Sequence, residues 1–142
     1  MLSMYPACFF HDPDGYSVIF PDLNGLATCG DTPEEAFAMA VDCLAGYLYT
    51  CQLDGEEIPA PSPSSRIDPQ AIAKQLDPEA PPCEAVVKVV SVDVAGYARE
   101  HFGEPIRKTL SLPGWLSLQA EQAGLNLSEV LQDALKERLN MS

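Results

Sequence analysis

The carboxylates are the residues of this chain best able to do chemistry. Asp12, Asp14 and Asp22 lie close together near the N-terminus, with Asp31 a little further on. Carboxylates clustered on sheet strands can hold two divalent metals and hydrolyse a phosphodiester. Here they sit in Asp12-Pro13-Asp14-Gly15 and Pro21-Asp22-Leu23-Asn24-Gly25. Both are turn sequences, where aspartate bonds its own backbone, so a two-metal nuclease is disfavoured. His11 and His101 have no Ser or Cys partner in a nucleophile motif. Cys8, Cys29, Cys43, Cys51 and Cys83 form no C-x-x-C pair, which argues against a zinc site and a disulfide framework. They read as reduced thiols of a cytoplasmic protein. No glycine loop has a phosphate-cradling spacing. The chain reads as a non-enzyme with no metal and no cofactor.

Charge points elsewhere. The formal net charge is −13, from 8 basic and 21 acidic side chains over 142 residues. A uniformly basic nucleic-acid-binding surface is excluded. Residues 1–65 hold ten Asp or Glu and no Lys or Arg, whereas residues 106–142 hold four of each sign. Two modules with different partners are expected. The acidic one should attract a basic protein by long-range steering; the plainer reading is solubility alone. The apolar fraction of 46% suffices for a packed core. No apolar run approaches membrane-spanning length, and no basic stretch or cleavage site marks a secretory leader.

The elements follow from pattern. Leu2 to His11 and Tyr16 to Phe20 read as a hairpin around the Pro-Asp-Gly turn, and Leu26 to Cys29 as a third strand. Thr32, Pro33 and Glu35 form a capping box at a helix start. Phe37, Val41, Leu44, Leu48 and Cys51 should be its apolar face. Residues 59–65 read as an extended linker, Ile67 to Leu76 as a short helix and Ala85 to Val94 as a buried strand returning to the sheet. Val94 to Phe102 suits another short helix. The fold class is α+β, with β-β-β-α-β order in the first module, residues 1–104.

The second module, residues 105–142, opens with Ile106-Arg107-Lys108-Thr109-Leu110-Ser111-Leu112, which alternates at period two. A helix from Gly114 to Ala123 should stop at Gly124, and a second should start at Asn126 with Glu129 at capping-box spacing. One strand and two short helices bury little alone. A second copy would pair the strands into a ribbon presenting Arg107, Thr109 and Ser111 to a DNA major groove, with Lys108 beside them. Asn126, Ser128 and the amides of that helix start are candidates to hold a phosphate. Dimerisation without DNA is the competing reading. Few basic residues imply modest affinity and a shallow salt dependence.

The chain resembles the HicB antitoxin family. The resemblance rests on Tyr5-Pro6-Ala7, Phe20-Pro21-Asp22-Leu23-Asn24-Gly25 and Gly30-Asp31-Thr32-Pro33-Glu34-Glu35-Ala36 in order, then Ile58-Pro59-Ala60-Pro61-Ser62 and Thr109-Leu110-Ser111-Leu112-Pro113-Gly114-Trp115-Leu116. Residues 63–85 look like an insertion or linker. The resemblance implies a partial ribonuclease-H-like N-terminal domain that blocks a small mRNA-cleaving HicA-like toxin. It also implies a C-terminal domain, ribbon-helix-helix or helix-turn-helix depending on subfamily, that dimerises, binds operator DNA and represses the operon, as a homodimer or tetramer. The strand expected at 106–112 selects the ribbon-helix-helix-like form. Residues 113–124 are about a turn shorter than the usual first helix of that domain. Asp12, Asp14, Asp22 and Asp31 are the carboxylates expected to meet the toxin; serving as turn formers and caps is their other reading. The alternative function is an orphan dimeric binding module or regulator without a toxin.

Overall fold

The computed structural model describes residues 1–141. Four strands form one antiparallel sheet in the order β3-β2-β1-β4. They are β1 (Ser3–Asp12), β2 (Gly15–Phe20), β3 (Leu26–Gly30) and β4 (Glu84–Val92). β1 and β2 turn at Asp12↔Gly15, and β4 returns along β1 with Cys8 opposite Val87. Asp12 Oδ1 accepts from the Asp14 amide at 2.9 Å, closing that turn.

The helix α1 (Pro33–Asp54) begins as its capping signals require. Thr32 Oγ1 accepts from the Glu35 amide at 3.1 Å, and Glu35 Oε2 accepts from the Asp31 amide at 3.4 Å. The carboxylate therefore reaches one residue further back than a standard capping box. Gly55, with φ +68°, ends the helix. The expected apolar face needs correction. The buried line is Ala36, Ala40, Leu44, Leu48 and Cys51, while Phe37 is 38% exposed. Small alanines let the helix axis come close to the sheet, which rotates the bulkier Phe37 to the flank.

α1 covers one face of the sheet over Tyr5, Ala7, Phe9, Val18, Phe20 and Val90. Although α1 has the length and apolar composition of a membrane-crossing helix, this packing makes it a core helix. The opposite face buries Cys8, Phe10 and Ile19 beneath Ile67, Ile72 and Ala73. These belong to the segment leading into and through α2 (Pro69–Leu76), whose first turn is capped by Asp68. Residues 63–85 thus form a strap over the second sheet face. Burial, helped by nearby Asp68, pushes the Cys8 thiol up to about 11.

β4 stops at Val92, two residues short of the expected end, because Asp93 starts α3 (Val94–His101). The Tyr97 hydroxyl donates to Asp42 Oδ1 at 2.9 Å and fastens α3 to α1.

The chain divides into two compact units after Glu104. The second contains α4 (Gly114–Gln122) and α5 (Leu127–Arg138), with Gly124 at φ +71° between them. The strand expected at 106–112 is absent: residues 102–113 form neither helix nor strand. A strand exists by its ladder, and nothing here supplies a partner. No described residue from Gly103 onward is buried.

Candidate functional site

Three of the four singled-out aspartates converge. Asp12, Asp14 and Asp31 line one open cleft at the hairpin end of the sheet, beside Tyr16 and Cys29. The pairing of Tyr16 with Gly30 places the end of β3 against the start of β2, which joins these carboxylates in space. One of them also serves the local backbone, since the Asp12 carboxylate closes the turn; at Asp31 it is the backbone amide that donates, to Glu35 Oε2. Among the described residues, no group of three His, Cys, Asp or Glu is arranged to hold a metal.

Asp22 departs from expectation and is not a free surface carboxylate. It lies half-buried in a single 3-10 turn, Pro21–Leu23, after β2. Its Oδ1 accepts from the Ser62 hydroxyl at 2.6 Å and its Oδ2 from the Ser62 amide at 2.8 Å. Tyr5 adds a second fastening by donating its hydroxyl to the Pro59 carbonyl. Burial, then Asp22, raises the Tyr5 pKa and keeps it a donor. Together these bonds hold the 59–62 segment at the end of the sheet. Charge-assisted bonds of this kind contribute about 1.5–3 kcal/mol. Asp22→Ala is expected to destabilise the first unit by roughly that amount, with faster amide exchange at 59–62. Unchanged exchange there would remove the fastening role.

An apolar groove lies beside the carboxylate cleft, and sequence reasoning missed it. Phe37 stacks on Phe9 with ring centroids 6.0 Å apart, and Lys88 Nζ sits 5.2 Å from the Phe9 centroid. The cavity measures about 230 Å³ and is lined by Phe9, Tyr16, Pro33 and Val86, with His11, Glu84 and Lys88 at its rim. His11 stacks on Tyr16 at 4.3 Å and stands 3.7 Å from Glu84. Its one sequence signal was Phe37, the fifth residue of α1, which lies between Ala36 and Ala38 and stacks on the groove-lining Phe9.

In the second unit Arg107, Lys108, Thr109 and Ser111 are all exposed. Asn126 Oδ1 accepts from the Glu129 amide at 3.2 Å and caps α5, so its oxygen is engaged. Ser128 lies in the first turn of α5, also exposed.

Charge separates the units. Residues 1–104 carry seventeen acidic against four basic side chains, and residues 105–142 carry four of each. The entire net charge of −13 resides in the first unit.

Residues 5–116 match the family described as HicB-like antitoxin of bacterial toxin-antitoxin system. The chain belongs to this family. The match spans the sheet unit from β1 onward and runs to the first turn of α4. Antitoxin HicB 2 of Photorhabdus laumondii is 48% identical over 58 residues, 41% of this chain and 42% of that protein. A 14.9 kDa protein from the rep-hol intergenic region of Haemophilus phage HP1 is 31% identical over 91 residues, 64% of this chain and 62% of its own. The chain therefore spans less than two thirds of either relative. A toxin–antitoxin complex from Streptococcus pneumoniae contains a chain with TM-score 0.64 and 32% identity, covering 97% of this chain and 99% of that one. This chain is a mixed α/β protein built on one antiparallel sheet, a fold similar to that of the S. pneumoniae chain.

Proposed function

We propose that this HicB-family chain is an antitoxin that neutralises a small, mRNA-cleaving HicA-like toxin by covering its RNA-binding face. The observation that carries this reading is the confinement of all net charge, −13, to the sheet unit. A ribonuclease that grips RNA presents basic side chains, and an acidic surface of matching extent competes for them. Occlusion asks no chemistry of the antitoxin. Family membership and the S. pneumoniae complex support the toxin partner. The reading expects a small basic reading frame adjacent to this one, and the test is co-expression with its product. Co-purification with loss of RNA cleavage is the expected result, and association should slow as salt rises. A partner that cleaves RNA undiminished in excess antitoxin would overturn the reading.

The second unit is read as a ribbon-helix-helix-like dimerisation and DNA-binding module acting on the operon's own operator. Thirteen large apolar side chains from Ile106 to Met141 are exposed in one copy, which favours closure by a second. The 106–112 segments would then pair and present Arg107, Thr109 and Ser111 to base edges, with Lys108 beside them. The start of α5, at Asn126 and Ser128, would face a phosphate. Arg107→Ala is expected to weaken operator binding by roughly 1–3 kcal/mol. Unchanged mobility shifts at matched salt would remove the ribbon-reading role.

A further inference from the structure

We propose that the open edge of β4, with the apolar groove beside it, is the surface on which the basic toxin docks by adding a strand of its own. This deepens the reading given above and rests on it. Among the described residues β4 pairs only with β1, so its outer side leaves backbone N–H and C=O groups without a ladder along nine residues. Its sequence, Glu-Ala-Val-Val-Lys-Val-Val-Ser-Val, is strongly β-forming, and Val86 and Val89 are 48% and 45% exposed. An edge this long and apolar, interrupted by the single charge Lys88, is a template for strand addition.

The groove gives the edge a specific occupant. Val86 is both on the edge strand and in the groove lining, so a strand laid along β4 reaches the cavity over Phe9 and Pro33. The volume of about 230 Å³ suits one or two apolar side chains. Glu84 lines it, and Asp12, Asp14 and Asp31 line the adjoining cleft, with Tyr16 common to both. An apolar anchor flanked by Lys or Arg therefore finds both its pocket and its counter-charges. A second copy of this sheet unit would bring another −13 to the same place, which opposes self-pairing. A basic protein relieves that field.

The experiment compares three full-length variants that make the same charge change at exposed positions. Val86→Lys places a cation in the groove and Phe37→Lys places one against Phe9, which lines it; Leu53→Lys places one at the far end of α1, where Leu53 is 46% exposed. Each is titrated with the purified product of the adjacent small basic reading frame, after a thermal melt verifies the fold. The expected result is about tenfold or greater loss of affinity for Val86→Lys and Phe37→Lys, with Leu53→Lys close to the parent. Equal weakening by all three, or by none, would overturn the location. So would loss of self-association in Val86→Lys with toxin affinity intact, since the edge would then serve a second copy. If the parent chain does not bind while a related HicB does, the toxin reading fails and the docking surface falls with it. If the parent binds and the groove variants match it, only the docking surface fails.

Discussion

Leu135→Asp is expected to leave the chain monomeric at micromolar concentration and to melt its last helices. The reason lies in what the second unit lacks. From Gly103 onward no described side chain is buried. Along α5, Leu127, Val130, Leu131 and Leu135 recur at helical spacing and are 40–51% exposed. Helices of nine and twelve residues are marginal in water without packing. Their apolar stripe must close against something, and a second copy is the proposed partner. Each leucine so buried is worth about 1.5–3 kcal/mol. Symmetry doubles the loss on substitution, and the aspartate adds an unpaired charge in the interface. An association constant lowered on the order of a thousandfold follows from about 4 kcal/mol. Sedimentation of the parent and the variant measures this directly. A parent that is monomeric with well-ordered α4 and α5 would refute the closing of these stripes by a second copy.

The second large effect belongs to Gly30→Ala. Gly30 ends β3 and is buried against the start of α1. A Cβ there would stand 2.5 Å from the Ala36 nitrogen and 2.7 Å from its Cα. Both neighbours are backbone, so no side chain can swing away. The helix would have to lift from the sheet at the point where Ala36 and Ala40 keep it close. Overpacking of this kind costs about 1–3 kcal/mol and sometimes more. For a unit of this size the melting temperature should fall by roughly 5 °C per kcal/mol. A calorimetric or dichroism melt within about two degrees of the parent, on the order of measurement error, would show that α1 accommodates the methyl.

Much of the sheet unit was legible because its signals are local. Asp12-Pro13-Asp14-Gly15 marks its own turn, and Thr32, Pro33 and Glu35 mark the start of α1. β4 was legible from its run of valines, and its return to the sheet from the need to bury them. What failed depended on distant partners. The fastening of Ser62 by Asp22 joins residues forty positions apart, and neither residue type announces it. The placing of Phe37 on the flank of α1 followed from alanines that draw the helix down, a tertiary matter that periodicity does not contain. The covering of Cys8, Phe10 and Ile19 by the strap was equally hidden, since α2 shows an apolar side but not its destination. The 106–112 alternation is plain in sequence, yet its ladder requires a strand the single copy lacks. The acidic residues were legible as a population. Their convergence at the hairpin end needed the register of β2 with β3.

The segment of residues 102–113, which has neither helix nor ladder, has a thermodynamic consequence. The sheet unit carries its own core, whereas the helical tail has none in one copy and, on the proposed reading, takes it from a second. Heating should then produce two endotherms instead of one. Diluting the sample should move the tail's transition to lower temperature and leave the other in place, because only a bimolecular equilibrium obeys mass action.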